Sequence, residues 1–302
     1  MKRLFVAREL PIDVQGLVGP QIDVQIWPGE GPPPPTELRL ALMEADAAVV
    51  LLSDQVDGAL LDACPRLRVV ANYAVGYDNI DAEAAAARGV WVTNTPDVLT
   101  EATADLTWAL LLGVARRVRE GDQLLRQRHP WRWAPSFLLG KELHGSTLGI
   151  IGFGRIGRAV ARRASGFGMK VVVYNRSPIA GQSCAALGVE QIELSALLER
   201  SDVVSVHCPL TPNTHHLLSS SEFRRMKRDA ILLNTARGPI VDEAALAEAL
   251  SDGVIGGAGL DVFEEEPAVH PGLLDCASAL LLPHLGSATE VTRGRMAEIA
   301  VQ

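Results

Sequence analysis

The sequence predicts an α/β protein made of two parallel-sheet domains. Three observations point there. Short β-rich runs alternate with helical patterns through the first ninety-odd residues. The alternation restarts, with a stronger pattern, after Ser146. The second series opens on a glycine-rich turn set between an apolar run and a helical one. A chain of 302 residues, 48% of them hydrophobic, has the length and core for about two domains.

In the first series, buried strands are expected at 4–7, 24–27, 48–52, 68–71 and 90–93, with helices at 36–44, 56–63 and 82–88 between them. Gly31 and the four prolines at 32–35 form a stiff connector. A long helix is expected over 96–120. Thr100 can cap it, and Glu101 puts an acid in its first turn, where the dipole favours one. It is too apolar for a solvated linker, so it should pack between domains or subunits. His129, Pro130, Trp131, Trp133 and Pro135 then mark an ordered loop. In the second series, strands are expected at 147–151, 170–174, 203–207, 230–234, 257–262 and 279–282. Helices fit 155–166, 195–199, 220–226 and 242–251. Six strands with intervening helices are what a dinucleotide-binding sheet needs.

Composition excludes several classes. Lys and Arg number 28 against 36 Asp and Glu, a formal charge of −8, whereas phosphate-backbone binding needs a clustered basic excess. No nucleic-acid partner is therefore expected. The longest apolar run, 106–115, falls short of the ~18 residues that span a bilayer. The apolar run before Arg8 and Glu9, residues 4–7, is only four residues long, too short for a signal-peptide core. Cys64, Cys184, Cys208 and Cys276 are scattered and read as reduced thiols of a cytoplasmic protein. His215 and His216 are adjacent, cannot easily share one ion, and have no flanking ligand cluster, so no metal is expected. No serine sits in a nucleophile elbow.

The turn is Gly152-Phe153-Gly154-Arg155-Ile156-Gly157, directly after the apolar run 148–151. Gly152 permits the sharp turn, Gly154 lets a pyrophosphate approach the backbone, and Gly157 lets helix and strand pack closely. The helix start then offers N–H groups to phosphates. At the end of the next strand an NAD site usually carries Asp or Glu for the ribose hydroxyls. Here Tyr174 is followed by Asn175, Arg176 and Ser177. Arg176 can pair with a 2′-phosphate, helped by Asn175 and Ser177, so NADPH is expected over NADH.

Three ionisable residues stand just beyond expected strand ends: Arg237, Glu266 and His284. In open α/β sheets ligands bind along that edge. Arg237 can hold the carboxylate of a 2-keto acid and polarise its keto group. His284 can protonate the carbonyl oxygen as hydride arrives, and Glu266 can orient the imidazole and favour its protonated form. Singly, each has an ordinary reading as a turn anchor, a solvated acid or a structural histidine. Together, after a nucleotide fingerprint, they point to catalysis.

At these residues the chain resembles the D-isomer-specific 2-hydroxyacid dehydrogenases, and within them the glyoxylate/hydroxypyruvate reductases. The resemblance runs through Asn72–Asp81, Val92–Thr100, Leu148–Gly157, His207–Thr211, Asn234–Gly238, Gly259–Pro267 and Pro283–Thr289. It implies two Rossmann-like domains with the active site in the cleft between them. A flavodoxin-like substrate domain would comprise 1–98 and 288–302, and an NAD(P)-binding domain 99–287. It makes Arg237, Glu266 and His284 the catalytic set. Val75 and Gly76 become backbone partners of the substrate carboxylate, and Leu99 and Ser287 pocket residues. Thr103, Arg155, Ile156, Cys208, Pro209, Thr214, Thr235, Ala236, Asp261 and Gly286 fall at cofactor positions, beside Arg237 and His284. It further implies a homodimer in which a loop tryptophan, Trp133 or alternatively Trp131, reaches the partner's site. Family chains usually continue past residues 288–302 with a helix that returns to the substrate domain, and these residues still read as helix at Gln302, with no glycine cap or proline stop. The reaction implied is NADPH-dependent reduction of glyoxylate and hydroxypyruvate, with NADH possible. 2-Ketogluconate reductases, other D-2-hydroxyacid dehydrogenases and, in another class, nucleotide-sensing corepressors share the scaffold.

Overall fold

The computed structural model describes residues 1–302, the side chain of Ser183 excepted. The chain divides into two compact units, Met1–Leu99 with Ser287–Gln302, and Thr100–Gly286.

The first unit holds five strands: β1 (Lys2–Val6), β2 (Ile22–Ile26), β3 (Ala47–Val50), β4 (Val69–Asn72) and β5 (Trp91–Thr93). All pair in parallel, in the order β2-β1-β3-β4-β5. This is the flavodoxin-like order. The sheet is apolar on both faces, as a parallel sheet covered by helices must be. Phe5, Ala48, Val50 and Val70 pack into one core, and Leu4, Val6, Val49 and Ala71 into another. The second core also takes Ala297 and Ala300 from the terminal helix Glu290–Val301, so the last residues return to the first unit.

The second unit holds β6 (Thr147–Ile151), β7 (Lys170–Tyr174), β8 (Val189–Gln191), β9 (Val203–Val206), β10 (Ile231–Asn234), β11 (Gly257–Leu260) and β12 (Ala279–Leu281). Their order, β12-β11-β10-β9-β6-β7-β8, is the doubly wound dinucleotide-binding order with one strand added beyond it. Val171 and Val173 enter one core and Val172 the other, the period-two alternation of a strand buried on both sides.

Besides the short helices Val14–Val18 and Pro271–Leu274, which the sequence reading does not include, two regions differ from expectation. The helix over 96–120 is two helices, Thr100–Ala115 and Val118–Arg126. Arg117 between them has φ 52°. The Ala115 carbonyl, which a continuous helix would give to residue 119, instead accepts the Lys141 N–H at 2.7 Å. The second difference is β8, a three-residue edge strand preceded by the helix Gly181–Leu187; the sequence reading passes over both. Three residues are too few for periodicity to register. β8 pairs with β7, setting Gln191 opposite Val173.

Candidate active site

The expected site residues of the second unit lie in a row along the carboxyl edge of its sheet. Arg237 follows β10, Asp261 and Glu266 follow β11, and His284 follows β12; these three strands are neighbours. Farther along, Cys208 and Pro209 follow β9, the glycine turn follows β6, and Asn175, Arg176 and Ser177 follow β7. The order reverses between β6 and β9, where such sheets open a crevice for a dinucleotide.

At the β10–β12 end, His284 Nδ1 and Glu266 Oε2 are 2.8 Å apart. A carboxylate can only accept, so Nδ1 carries the proton and Nε2 is left for chemistry. Burial raises the Glu266 pKa. The His284 hydrogen bond and charge, the Phe263 N–H and the Arg237 charge outweigh it and hold this carboxyl below its ordinary range.

His284 itself sits at φ 54°, a left-handed conformation that costs energy for a residue with a Cβ. The neighbouring bonds show what fixes it. Asp261, 1% exposed, accepts the Leu285 N–H at 2.6 Å and the Gly286 N–H at 2.7 Å, and its carbonyl accepts the His284 N–H at 2.9 Å. Thr103 Oγ1 donates to the Gly286 carbonyl at 3.1 Å. Thus Thr103, Asp261 and Gly286, expected around the cofactor, come together around the histidine turn. Burial pushes the Asp261 carboxyl upward, against the pull of those two N–H donors.

Arg237 is held by a residue that sequence reasoning missed. Asn234, 1% exposed at the end of β10, accepts the Ala236 N–H at 3.0 Å and donates Nδ2 to the Arg237 carbonyl at 2.8 Å. Thr235 is buried, its hydroxyl 3.0 Å from that of Thr107. The turn after β10 is therefore fixed from its own strand and from the helix Thr100–Ala115. Nothing in the local sequence separates this asparagine from a solvated one.

The glycine turn has room for a cofactor. Gly152 adopts φ +93°, and a Cβ there would lie 2.5 Å from the Cys208 nitrogen. Gly157 packs against the Gly152 carbonyl and leaves no space for a methyl group. Gly154 is different: a Cβ there would meet nothing within 4 Å. Packing within the protein therefore gives no reason for glycine at 154, whereas close approach of a pyrophosphate does. The helix Arg155–Ala164 starts here and directs the N–H groups of its first turn, Ile156 and Gly157 among them, toward that space.

The loop carrying Cys208 and Pro209 is tied by Thr214, whose hydroxyl donates to the Pro209 carbonyl at 2.8 Å. Burial pushes the Cys208 thiol up to about 11 and the His207 imidazole down to about 3, so neither is charged near neutral pH. Beyond β7, Asn175 Oδ1 accepts the Phe153 N–H of the glycine turn at 3.2 Å, and its Nδ2 donates to the Ser177 carbonyl at 2.9 Å. Arg176 and Ser177 are exposed.

Val75, Gly76, Leu99 and Ser287 belong to the first unit. Asn94 Nδ2 donates to the Val75 carbonyl at 2.8 Å, and Asn72 Nδ2 donates to the Gly76 carbonyl at 2.7 Å. Asn79 holds Asn72 in turn. With both carbonyls engaged, the Val75 and Gly76 N–H groups have no protein acceptor among the described residues, an arrangement suited to an anion. Leu99 is buried. In the second unit, Trp131 stacks on Phe137 with ring centroids 6.3 Å apart, while Trp133 is 79% exposed. His216 Nε2 lies 3.0 Å from Glu264 Oε2, and its Nδ1 lies 4.0 Å from Asp242 Oδ2.

Comparison with known proteins agrees with this geometry. Residues 108–286 match the D-isomer specific 2-hydroxyacid dehydrogenase, NAD binding domain. The chain is 48% identical to a glyoxylate reductase of Korarchaeum cryptofilum, over 99% of this chain and 91% of that protein. A crystal structure of a Thermus thermophilus protein superposes with a TM-score of 0.92 at 47% identity, covering 99% of this chain and 94% of the other. The NADPH-dependent glyoxylate/hydroxypyruvate reductase of Sinorhizobium meliloti, solved with NADP and malonate, gives 0.85 at 35% identity, covering 99% and 91%. An oxidoreductase with a nicotinamide dinucleotide cofactor accounts for the sheet order, the open glycine turn and the oriented histidine together, and this chain belongs to the D-isomer-specific 2-hydroxyacid dehydrogenase family.

Proposed function

We propose that the protein is an NADPH-preferring reductase of small 2-keto acids, converting glyoxylate to glycolate and hydroxypyruvate to D-glycerate. The observation that carries the chemistry is the 2.8 Å pair of His284, after β12, and Glu266, after β11, on the same sheet edge as Arg237, after β10. The glyoxylate reductases and the NADP-bound structure among its relatives support the substrate class and the cofactor. The absence of a carboxylate after β7, with Arg176 in its place, supports NADPH.

The residues divide the work as follows. A reduced nicotinamide dinucleotide held at the Gly152–Gly157 turn supplies the hydride. Arg237 pairs with the substrate carboxylate through charge-assisted hydrogen bonds and draws electron density from the keto oxygen. Val75 and Gly76 serve as N–H donors to the same kind of group. His284 gives its Nε2 proton to the keto oxygen as the hydroxyl forms, and Glu266 holds the imidazole by Nδ1 through the step. Asp261 and Asn234 set the backbone on which His284 and Arg237 stand. The exposed ring of Trp133 belongs, in this reading, to a homodimer in which it serves the partner's site.

His284→Ala tests the assignment. Loss of a general acid should lower kcat by about 100- to 10,000-fold. NADPH binding, measured by calorimetry, should stay within about twofold. Undiminished kcat would remove His284 from the mechanism. Equal loss of cofactor binding would make it a binding residue instead.

A further inference from the structure

The 2′-phosphate end of the site is held by a residue outside the glycine turn and the Asn175–Ser177 loop. Gln191 ends β8, opposite Val173 on β7. Its Nε2 lies 3.2 Å from the Asn175 carbonyl and 3.2 Å from the Ser177 carbonyl. Its Oε1 accepts the Ile179 N–H at 2.8 Å. The partners fix the orientation of the amide, since two carbonyls require the NH2 end and an N–H requires the oxygen. One side chain thus ties the loop at three points, and Asn175 ties the same loop back to the glycine turn through Phe153.

The direction of those bonds matters for an anion. In a planar trans peptide, the carbonyl and the following N–H point opposite ways. Drawing the Asn175 carbonyl toward Gln191 therefore turns the Arg176 N–H away from β8. That N–H has no acceptor among the described residues, and neither the Arg176 guanidinium nor the Ser177 hydroxyl has a partner among them. Three donors are thus left on one short loop, while the two carbonyls that would repel a phosphate are bound elsewhere.

We propose that Gln191 is a positioning residue for NADPH specificity: it withdraws the Asn175 and Ser177 carbonyls and holds Arg176 and Ser177 as donors to the 2′-phosphate. This rests on the NADPH reading given above. NADH lacks the 2′-phosphate, so the effect of Gln191 should fall on NADPH alone.

The test is direct binding of NADPH and NADH by calorimetry to the wild type, Gln191→Leu, Arg176→Ala and the double variant, with thermal melting of each protein. Gln191 is exposed, so Gln191→Leu should fold, and Gln191→Met provides a second replacement of similar length. Gln191→Leu should raise the Kd for NADPH about 5- to 10-fold and that for NADH less than about twofold. Arg176→Ala should raise the NADPH Kd about 10- to 100-fold. Because Gln191 acts through Arg176 and Ser177, the double variant should fall short of the product of the two single effects. If Arg176→Ala reduces the preference but Gln191→Leu and Gln191→Met leave the ratio of Kd values unchanged, the positioning role is refuted and the NADPH reading stands. Equal weakening of both cofactors, with or without a lower melting temperature, refutes it as well. If Arg176→Ala also leaves the ratio unchanged, the NADPH reading fails and takes this inference with it.

Discussion

The two ends of one sheet edge are built differently. At the β10–β12 end, the groups that would do chemistry are ionisable and stand on buried supports: Asp261 and Asn234 are each 1% exposed and hold the turns that carry His284 and Arg237. At the β7–β8 end, the supports are less buried: the amides of Asn175, half-buried, and Gln191, exposed. A proton donor must be held to fractions of an ångström, and buried hydrogen bonds supply that rigidity. A phosphate recognised at the surface tolerates a looser frame. Changing the first end should therefore cost rate, and changing the second should shift cofactor choice.

The largest effect that would sharpen this contrast is expected at the first end. Arg237→Ala should lower kcat/KM for a 2-keto acid by about 100- to 1,000-fold, with KM and kcat both impaired, because charge-assisted bonds to the carboxylate are lost. Cofactor Kd should move little. Unchanged steady-state kinetics would show that this arginine is only a turn anchor.

Between the two ends lie glycines with opposite expectations. Gly154→Ala meets no protein atom, so stability should stay within about 0.5 kcal/mol. Dinucleotide binding should weaken by about tenfold or more, because the methyl group would occupy the pyrophosphate's approach. Gly157→Ala would drive a methyl group into the Gly152 carbonyl and to 3.2 Å from Ile150. Overpacking of this kind costs about 1–3 kcal/mol, read in urea denaturation. A Gly154→Ala protein that binds NADPH normally would remove the pyrophosphate from this turn.

The smallest effect concerns pH. Glu266 is held below its ordinary carboxyl value, near 4.5, so it contributes stability above that pH and loses it as pH falls through the lowered value. Wild type should therefore exceed Glu266→Gln in stability at pH 7, by a margin that shrinks once the pH drops well below 4.5. A margin constant across that range would mean that Glu266 is not held by ionic contacts.

The same contrast explains what can be read from the amino-acid sequence. Arg237, Glu266 and His284 are legible because the glycine turn fixes where the ligand-binding edge lies and all three fall along it, just beyond strand ends. Asn234 and Gln191 are not, since an amide acquires its role only from the partners that tertiary register brings to it. Asn72, Asn79 and Asn94, which set the carbonyls of Val75 and Gly76, are hidden for the same reason. β8 escapes because three residues show no period. The break before Val118 escapes because Lys141, whose N–H takes the Ala115 carbonyl, lies 26 residues from Ala115.

The most direct measurement is initial rates of the wild-type protein with NADPH and NADH against glyoxylate, hydroxypyruvate, pyruvate and 2-ketogluconate. The expected result is highest kcat/KM with glyoxylate and hydroxypyruvate, and a clear preference for NADPH. A preference for 2-ketogluconate, or for NADH, would contradict the proposed reaction, and tight cofactor binding without turnover of any of the four would contradict a reductase of these acids altogether.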